Sequence, residues 1–190
     1  MVRTGSVRTV HPGSEGDDQV IGFHLPGELV GLDAIHENTH QCDAVALERT
    51  SVCAVQLARL ERLAAEIPAL QRQFHRMISR QITHDHRHLV AVGRRTARER
   101  LALFLHGLSE RLESGGYSGT DFSLSMSRED IANYLGLALE TVSRLLTKLS
   151  EDGVIRVERR RVHIADPDAL ARIAGSPHPN ARPSGHSSVH

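Results

Sequence analysis

The spacing of apolar positions changes twice along this chain, and each change marks an element boundary. Over residues 1–58 the apolar runs are short and β-branched. In VRTVHPGSEGDDQVIGFHL a polar Gly/Asp loop separates two extended runs, the pattern of a hairpin. LPGELVGLDAI adds Pro-Gly punctuation and predicts another strand, and DAVALERTSVCAVQ alternates around a turn. The first third therefore reads as β sheet. Its first residues, Met1 to Gly5, already look like mid-sheet sequence, leaving too few strands to close a sandwich or barrel. From Leu57 the period is helical, predicting a long helix from Pro68 to about Val92, loosened at Gly93, and another from Thr96 to Glu113. A Gly/Ser-rich connection over 112–125 leads to a short strand. Residues 176–190, rich in Pro, Gly, Ser and His, cannot build a core and read as a disordered tail whose histidines are solvated.

On the long helix His75, Ile78, Ile82, Asp85, Leu89 and Val92 recur at intervals of three and four. Such a stripe is either the seam of a dimer or a face packed on the sheet. Asp85 has two corresponding placements. Facing its twin across a low-dielectric seam it would oppose association, whereas on the solvent flank it would be neutral to it.

Composition narrows the class. A chain of 190 residues holds one domain or two small ones. Formal net charge is zero, so bulk charge points to neither nucleic acid nor membrane. Its distribution is uneven: acids outnumber bases up to about Leu70, and Gln71 to Arg100 is rich in arginine, as in chains with separate sensing and binding halves. Cys42 and Cys53 follow no hydrophobic signal segment, which argues against a secreted disulfide scaffold, and no apolar run is long enough to span a membrane. A soluble, cytoplasmic chain is expected, with Cys53 a small buried hydrophobe in a strand. Of His84, His86 and His88 only the first and last share a helix face, and no third ligand stands at metal-binding spacing, so metal catalysis is not expected.

The chemistry concentrates in MSREDIANYLGLALETVSRLLTKL. Ser127 and Asp130 form a capping box opening a helix over Arg128 to Leu135, with Ile131 and Leu135 inward and Gly136 as terminator. A short turn leads to a second helix, Leu139 to Ser150, whose Val142, Leu145, Leu146 and Leu149 are apolar and whose end Gly153 caps. This is a helix-turn-helix, or else a helical hairpin in a core. The second helix carries a polar ridge at its N-terminal end, where a recognition helix meets base edges: Glu140 can accept from a cytosine amino group, Arg144 has the fork that fits guanine O6 and N7, and Ser143 between them is small. VIRVERRRVHIAD then predicts two strands around a basic turn at Arg159, Arg160 and Arg161, a wing suited to phosphate.

These residues carry a resemblance. SREDIANYLGLALETVSRLLTKLSEDGVI resembles the DNA-binding domain of the CRP/FNR transcription regulators, and QVIGFHLPGELVGLDAI resembles the sensory β-roll of their oxygen-responsive FNR/ANR branch. The resemblance runs from Val2 to about Gly175. It implies that Glu140, Ser143 and Arg144 read a half-site written TTGAT in a palindrome bound by a homodimer, that the long helix is the dimerisation helix, and that RNA polymerase is a partner. Gly27-Glu28-Leu29 matches the cyclic-nucleotide members, but the Arg-Ser or Arg-Thr pair that follows it there is absent, so cyclic AMP is not the expected ligand. FNR-branch relatives coordinate a four-iron, four-sulfur cluster; Cys53 matches their internal ligand, the three N-terminal cysteines have no counterpart, and no cofactor is expected here. The chain reads as a truncated or mis-started product of an FNR-type gene.

The expected fold is α+β: a partial cupin-like β-roll over 1–58, a linker and dimerisation helix over 59–93 with Ile78, Ile82, Asp85, Leu89 and Val92 at the seam, a winged helix-turn-helix over 94–175, and the tail. The expected function is transcription regulation in anaerobic or redox gene control. Glu140, Ser143, Arg144 and Thr141 would lie at the groove, with Ser127, Arg128 and Arg159 to Arg161 near phosphates. The rival is a protein-interaction module whose helical pair is core.

Overall fold

The computed structural model describes residues 1–14 and 17–175; the predicted tail lies outside the described residues. The first third contains five short strands, β1 (Val2–Thr4), β2 (Val7–His11), β3 (Gln19–His24), β4 (Asp43–Ala46) and β5 (Ser51–Val52). β2 is the centre of a three-stranded sheet ordered β3-β2-β4, and β1 pairs with β5; every pairing is antiparallel. The hairpin predicted from the polar Gly/Asp loop is β2–β3.

The strand expected in LPGELVGLDAI does not form. Glu28 N donates to the Leu25 carbonyl at 3.1 Å in a tight turn, and Gly27 and Gly31 hold φ of 90° and 85°, left-handed values that end an extended run. The segment closes instead into a one-turn helix, α1 (Ala34–Glu37). Cys53 is also not the buried strand residue expected. It lies just beyond β5 and is exposed, because neither β4 nor β5 has a layer packed over it and all their residues face solvent.

Helices follow as the change of period predicts: α2 (Leu57–Glu66), then α3 (Pro68–Arg94), with Pro68 at the first position where its missing N–H costs nothing. Gly93 does not loosen α3, which continues to Arg94 because no left-handed cap is needed there. α4 (Ala97–Ser114) opens on a capping box between Thr96 and Glu99. The last third is β6 (Asp121–Ser123), α5 (Arg128–Leu135), α6 (Leu139–Glu151), β7 (Ile155–Glu158), β8 (Arg161–Ile164) and α7 (Pro167–Ile173), with the strands in the order β6-β8-β7.

One apolar core joins the two ends of the chain. Val20 and Phe23 of β3 and Leu25 just after it pack with Leu101, Leu105 and Leu108 of α4 and with Ile131, Tyr134 and Leu135 of α5. Phe23 meets the Tyr134 ring edge-on at 5.1 Å, and His88 of α3 stacks on its face at 3.9 Å. α3 itself buries only Ala91; Ile82 and Leu89 of its apolar stripe are 48% and 68% exposed in the single protomer. The fold is the expected α+β arrangement of β-roll strands, long helix and winged helix-turn-helix.

Candidate nucleic-acid interface

The first helix of the pair is set by its cap. Ser127 Oγ accepts from Asp130 N at 3.0 Å while Asp130 Oδ2 accepts from Ser127 N at 2.8 Å, the reciprocal bonds the sequence predicts. α5 then buries Ile131 and Leu135 and ends at Gly136, whose φ of 62° starts the turn into α6. The second helix buries Val142, Leu146 and Leu149 along one stripe and turns its opposite face outward.

That outward face holds the predicted reading residues together. Glu140 and Arg144 are exposed, and Thr141 and Ser143 are half-buried between them. Arg144 Nη2 donates to Thr141 Oγ1 at 3.4 Å, and Arg128 Nη1, from the first turn of α5, donates to Ser143 Oγ at 3.4 Å. The ends of the two helices thus form one polar ridge. Its exposure removes the basis for treating the helical pair as core alone. One feature of the ridge escapes a residue-type search. α6 is N-capped by Ala138, which has no side-chain oxygen to offer, so no side chain caps the amides of its first turn and its positive dipole end lies at the start of the ridge. The signal available in sequence was the absence of Ser, Thr, Asp or Asn at position 138.

The wing is a two-residue turn between β7 and β8. Arg159 occupies the left-handed region at φ 56°, and Arg159 and Arg160 are exposed. Arg161 is placed differently: its Nε and Nη2 donate to both carboxylate oxygens of Asp121 at 2.8 and 2.9 Å, a fork that fastens β8 to β6. Of the three wing arginines it is the one already engaged.

In the sensory half a cleft of about 740 Å³ lies between β3, the 29–33 loop and α3, where Ile78, Ile82, Asp85, Leu89 and Val92 line one wall. The stripe thus faces the sheet across this cleft and leaves Ile82 and Leu89 open to solvent. Asp85 takes a bond from Gln81 Nε2 at 2.9 Å; burial raises its carboxyl, and the Gln81 bond works against that. Near the cleft Glu28 is committed elsewhere. Burial would raise it, but Arg111, donating to both its oxygens at 2.8 and 2.6 Å, outweighs burial and holds it below the usual carboxylate range.

Residues 99–173 match the Crp-like helix-turn-helix domain family and residues 1–66 match the cyclic nucleotide-binding domain family. The transcriptional regulatory protein btr of Bordetella pertussis is 48% identical over 174 residues, covering 92% of this chain and 72% of that protein. The chain belongs to the CRP/FNR family of transcription regulators. A second CRP/FNR relative, the fumarate and nitrate reduction regulatory protein of Escherichia coli K12, is 40% identical over 174 residues, covering 92% of this chain and 70% of that protein. Among solved structures, FixK2 from Bradyrhizobium japonicum superposes with a TM-score of 0.80 at 34% identity, over 94% of this chain and 87% of that one. CRP/FNR proteins are regulators and not enzymes, and the helix-turn-helix assigns the DNA-binding half.

The cyclic nucleotide-binding match and the fumarate and nitrate reduction relative point to a half that senses a small molecule or a cluster, and the described residues show which donors it offers. Among the described residues the lining of the cleft includes Asp33 and Asp85 and neither arginine nor lysine, which does not suit a cyclic phosphate, and Glu28 of the Gly-Glu-Leu motif is bound to Arg111. Of the four thiolates that an iron–sulfur cluster needs, these residues supply at most two, Cys53 exposed and Cys42 in the cleft wall, and the described residues hold no group of three metal-ligating side chains. Among the described residues no helix is long and apolar enough to cross a membrane.

Proposed function

We propose that this chain is a homodimeric transcription regulator that reads TTGAT-type half-sites of a palindrome in anaerobic or redox gene control. The observation that carries the reading is the exposed ridge at the N-terminal end of α6, where Glu140, Ser143 and Arg144 stand one turn apart above an uncapped helix end. In the major groove Arg144 would take guanine O6 and N7 and Glu140 a cytosine amino group, with Thr141 beside them. Ser127 and Arg128 at the start of α5, the α6 N-terminus and the wing residues Arg159 and Arg160 would lie on phosphates, with Arg161 shaping the wing through Asp121. The half-site and the anaerobic role draw support from the E-x-x-S-R pattern and from the name of the fumarate and nitrate reduction relative.

The proposed organisation is a sensory part over 1–58, a linker and dimerisation helix over 59–93 and a DNA-binding part over 94–175. Dimerisation would use Ile78, Ile82, Asp85, Leu89 and Val92, since Ile82 and Leu89 are large, apolar and exposed in one protomer. RNA polymerase is the proposed protein partner and the cytoplasm the proposed compartment. The test is a titration against a TTGAT palindrome and a scrambled duplex, with mass measured in the same samples. Binding of two chains per palindrome, at least a thousandfold tighter than to the scrambled site (on the order expected for specific readers), is the expected result. Equal affinity for both duplexes would refute base reading, and one chain per site would refute the dimer.

A further inference from the structure

Three sets of polar contacts tie the β2–β3 hairpin and Ser6, the residue before it, to α5 and the residues that precede α5. Arg8 Nη1 donates to Asp130 Oδ1. Val20 N donates to Asn133 Oδ1 at 2.6 Å, Asn133 Nδ2 donates to the Asp18 carbonyl at 2.8 Å, and Gln19 Nε2 donates to the Asn133 carbonyl at 2.8 Å. Ser6 Oγ donates to Ser125 Oγ at 2.6 Å. Residues far apart in sequence make every one of these bonds, so local propensity explains none of them.

Asp130 is the pivot. It is 8% exposed, and its carboxylate is divided. Oδ2 accepts from Ser127 N and Oγ at 2.8 and 2.7 Å and so closes the cap of α5, while Oδ1 accepts from Arg8. A charge-assisted bond to one oxygen fixes the plane of the whole carboxylate, and an apolar contact would not. The next residue after Ser127 is Arg128, whose guanidinium reaches Ser143 on the reading helix. We infer that Arg8 of the sensory sheet is a positioning residue for DNA recognition, clamping Asp130 and through it the cap of α5 and the Arg128–Ser143 contact. The clamp is not a lid. Glu140 and Arg144 stay exposed with the hairpin docked, and among the described residues none of the hairpin's hydrogen bonds goes to α6 or the wing. A change in the sensory sheet that moves β2 would therefore reach the reading ridge directly, without passing through α3.

The inference rests on the DNA-reading proposal, so its test includes a readout that needs no DNA. Wild type, R8A, R8K and V10A are compared as full chains for affinity to the TTGAT palindrome and for amide hydrogen exchange over 127–135. V10A removes volume from a buried position of the same strand and touches none of the bonds above. R8A is expected to bind about tenfold more weakly, as loss of one charge-assisted bond implies, and to exchange severalfold faster over 127–135. R8K should recover most of both, and V10A should leave both near wild type. The clamp is overturned if R8A matches wild type in exchange, or if V10A reproduces the R8A pattern, which would mean that general softening of the sheet is enough. Wild type that binds no palindrome, with R8A still accelerating exchange, would sink the DNA-reading proposal and leave the clamp standing.

Discussion

Arg144 shows how much one side chain is asked to do. Its guanidinium is exposed and, among the described residues, is held by the 3.4 Å bond to Thr141 alone, so it can exchange that partner for a base edge at little cost. Arg144→Ala should lose about 1–3 kcal/mol on the intact site and relax preference at one base pair. A gel-shift series on point-mutated palindromes measures this, and equal weakening on random DNA would show that Arg144 contacts phosphate instead. Arg159 and Arg160 should behave in that second way, weakening all sequences alike. Asp85 is the opposite case, a charge on the proposed dimer seam, where association would favour apolar contact. Burial already raises its carboxyl in the single protomer, and a second copy would bring another carboxylate towards it. Asp85→Ala should therefore tighten self-association, read as a lower dissociation constant in sedimentation; unchanged association would place Asp85 off the interface.

At the scale of elements, α5 depends on its cap more than on propensity. Its eight residues are too few for a stable isolated helix, so the Ser127–Asp130 reciprocal bonds and burial of Ile131 and Leu135 decide whether it forms. Ser127→Ala removes one acceptor and should cost about 1 kcal/mol of stability. Thermal unfolding would register that loss, and DNA affinity should fall with it because the proposed function also sets Ser127 on a phosphate. Elements that announce themselves by period or cap were legible in sequence: α5, α6, the β2–β3 hairpin and the β7–β8 wing all form where the pattern put them. The strand expected after Leu25 was misread because its apolar residues suggested extension, while the left-handed backbone at Gly27 and Gly31 decided otherwise. Cys53 was misplaced for a related reason. A residue's type signals its tolerance for burial, not whether a second layer covers it.

Across the whole molecule, the meeting point of sheet, long helix and helix-turn-helix is expected to be sensitive to acid. His84 of α3 lies 3.3 Å from the Tyr134 hydroxyl of α5, His88 stacks on the same ring, and His24 is buried in β3. Burial first, then the nearby Arg111 charge, pushes His84 from its ordinary 6.5 down to about 4, while Glu28 opposes that shift; burial pushes Tyr134 up to about 12. Because the folded state holds His84 neutral, the unfolded state binds the extra proton below pH 6.5. Stability is thus full above about pH 6.5 and falls as pH drops towards 4, by up to about 3 kcal/mol for this group. His84→Gln keeps a bond to Tyr134 without the titration and should flatten the fall in a series of unfolding midpoints between pH 7 and 4. A variant with the same slope as wild type would locate the acid sensitivity elsewhere.

Periodicity and residue chemistry by themselves determined that this chain has a β first third, a long helix and a winged helix-turn-helix, and which side chains form its polar ridge. These follow from contacts within one or two turns, where spacing in sequence equals spacing in space. Only the tertiary structure decided which charges are spent and which remain available. Arg161 is held by Asp121, Glu28 by Arg111 and Asp130 by Arg8, and each pair joins segments far apart along the chain. No local pattern encodes such a pairing, because it depends on which surfaces the common core around Phe23 and Tyr134 brings together.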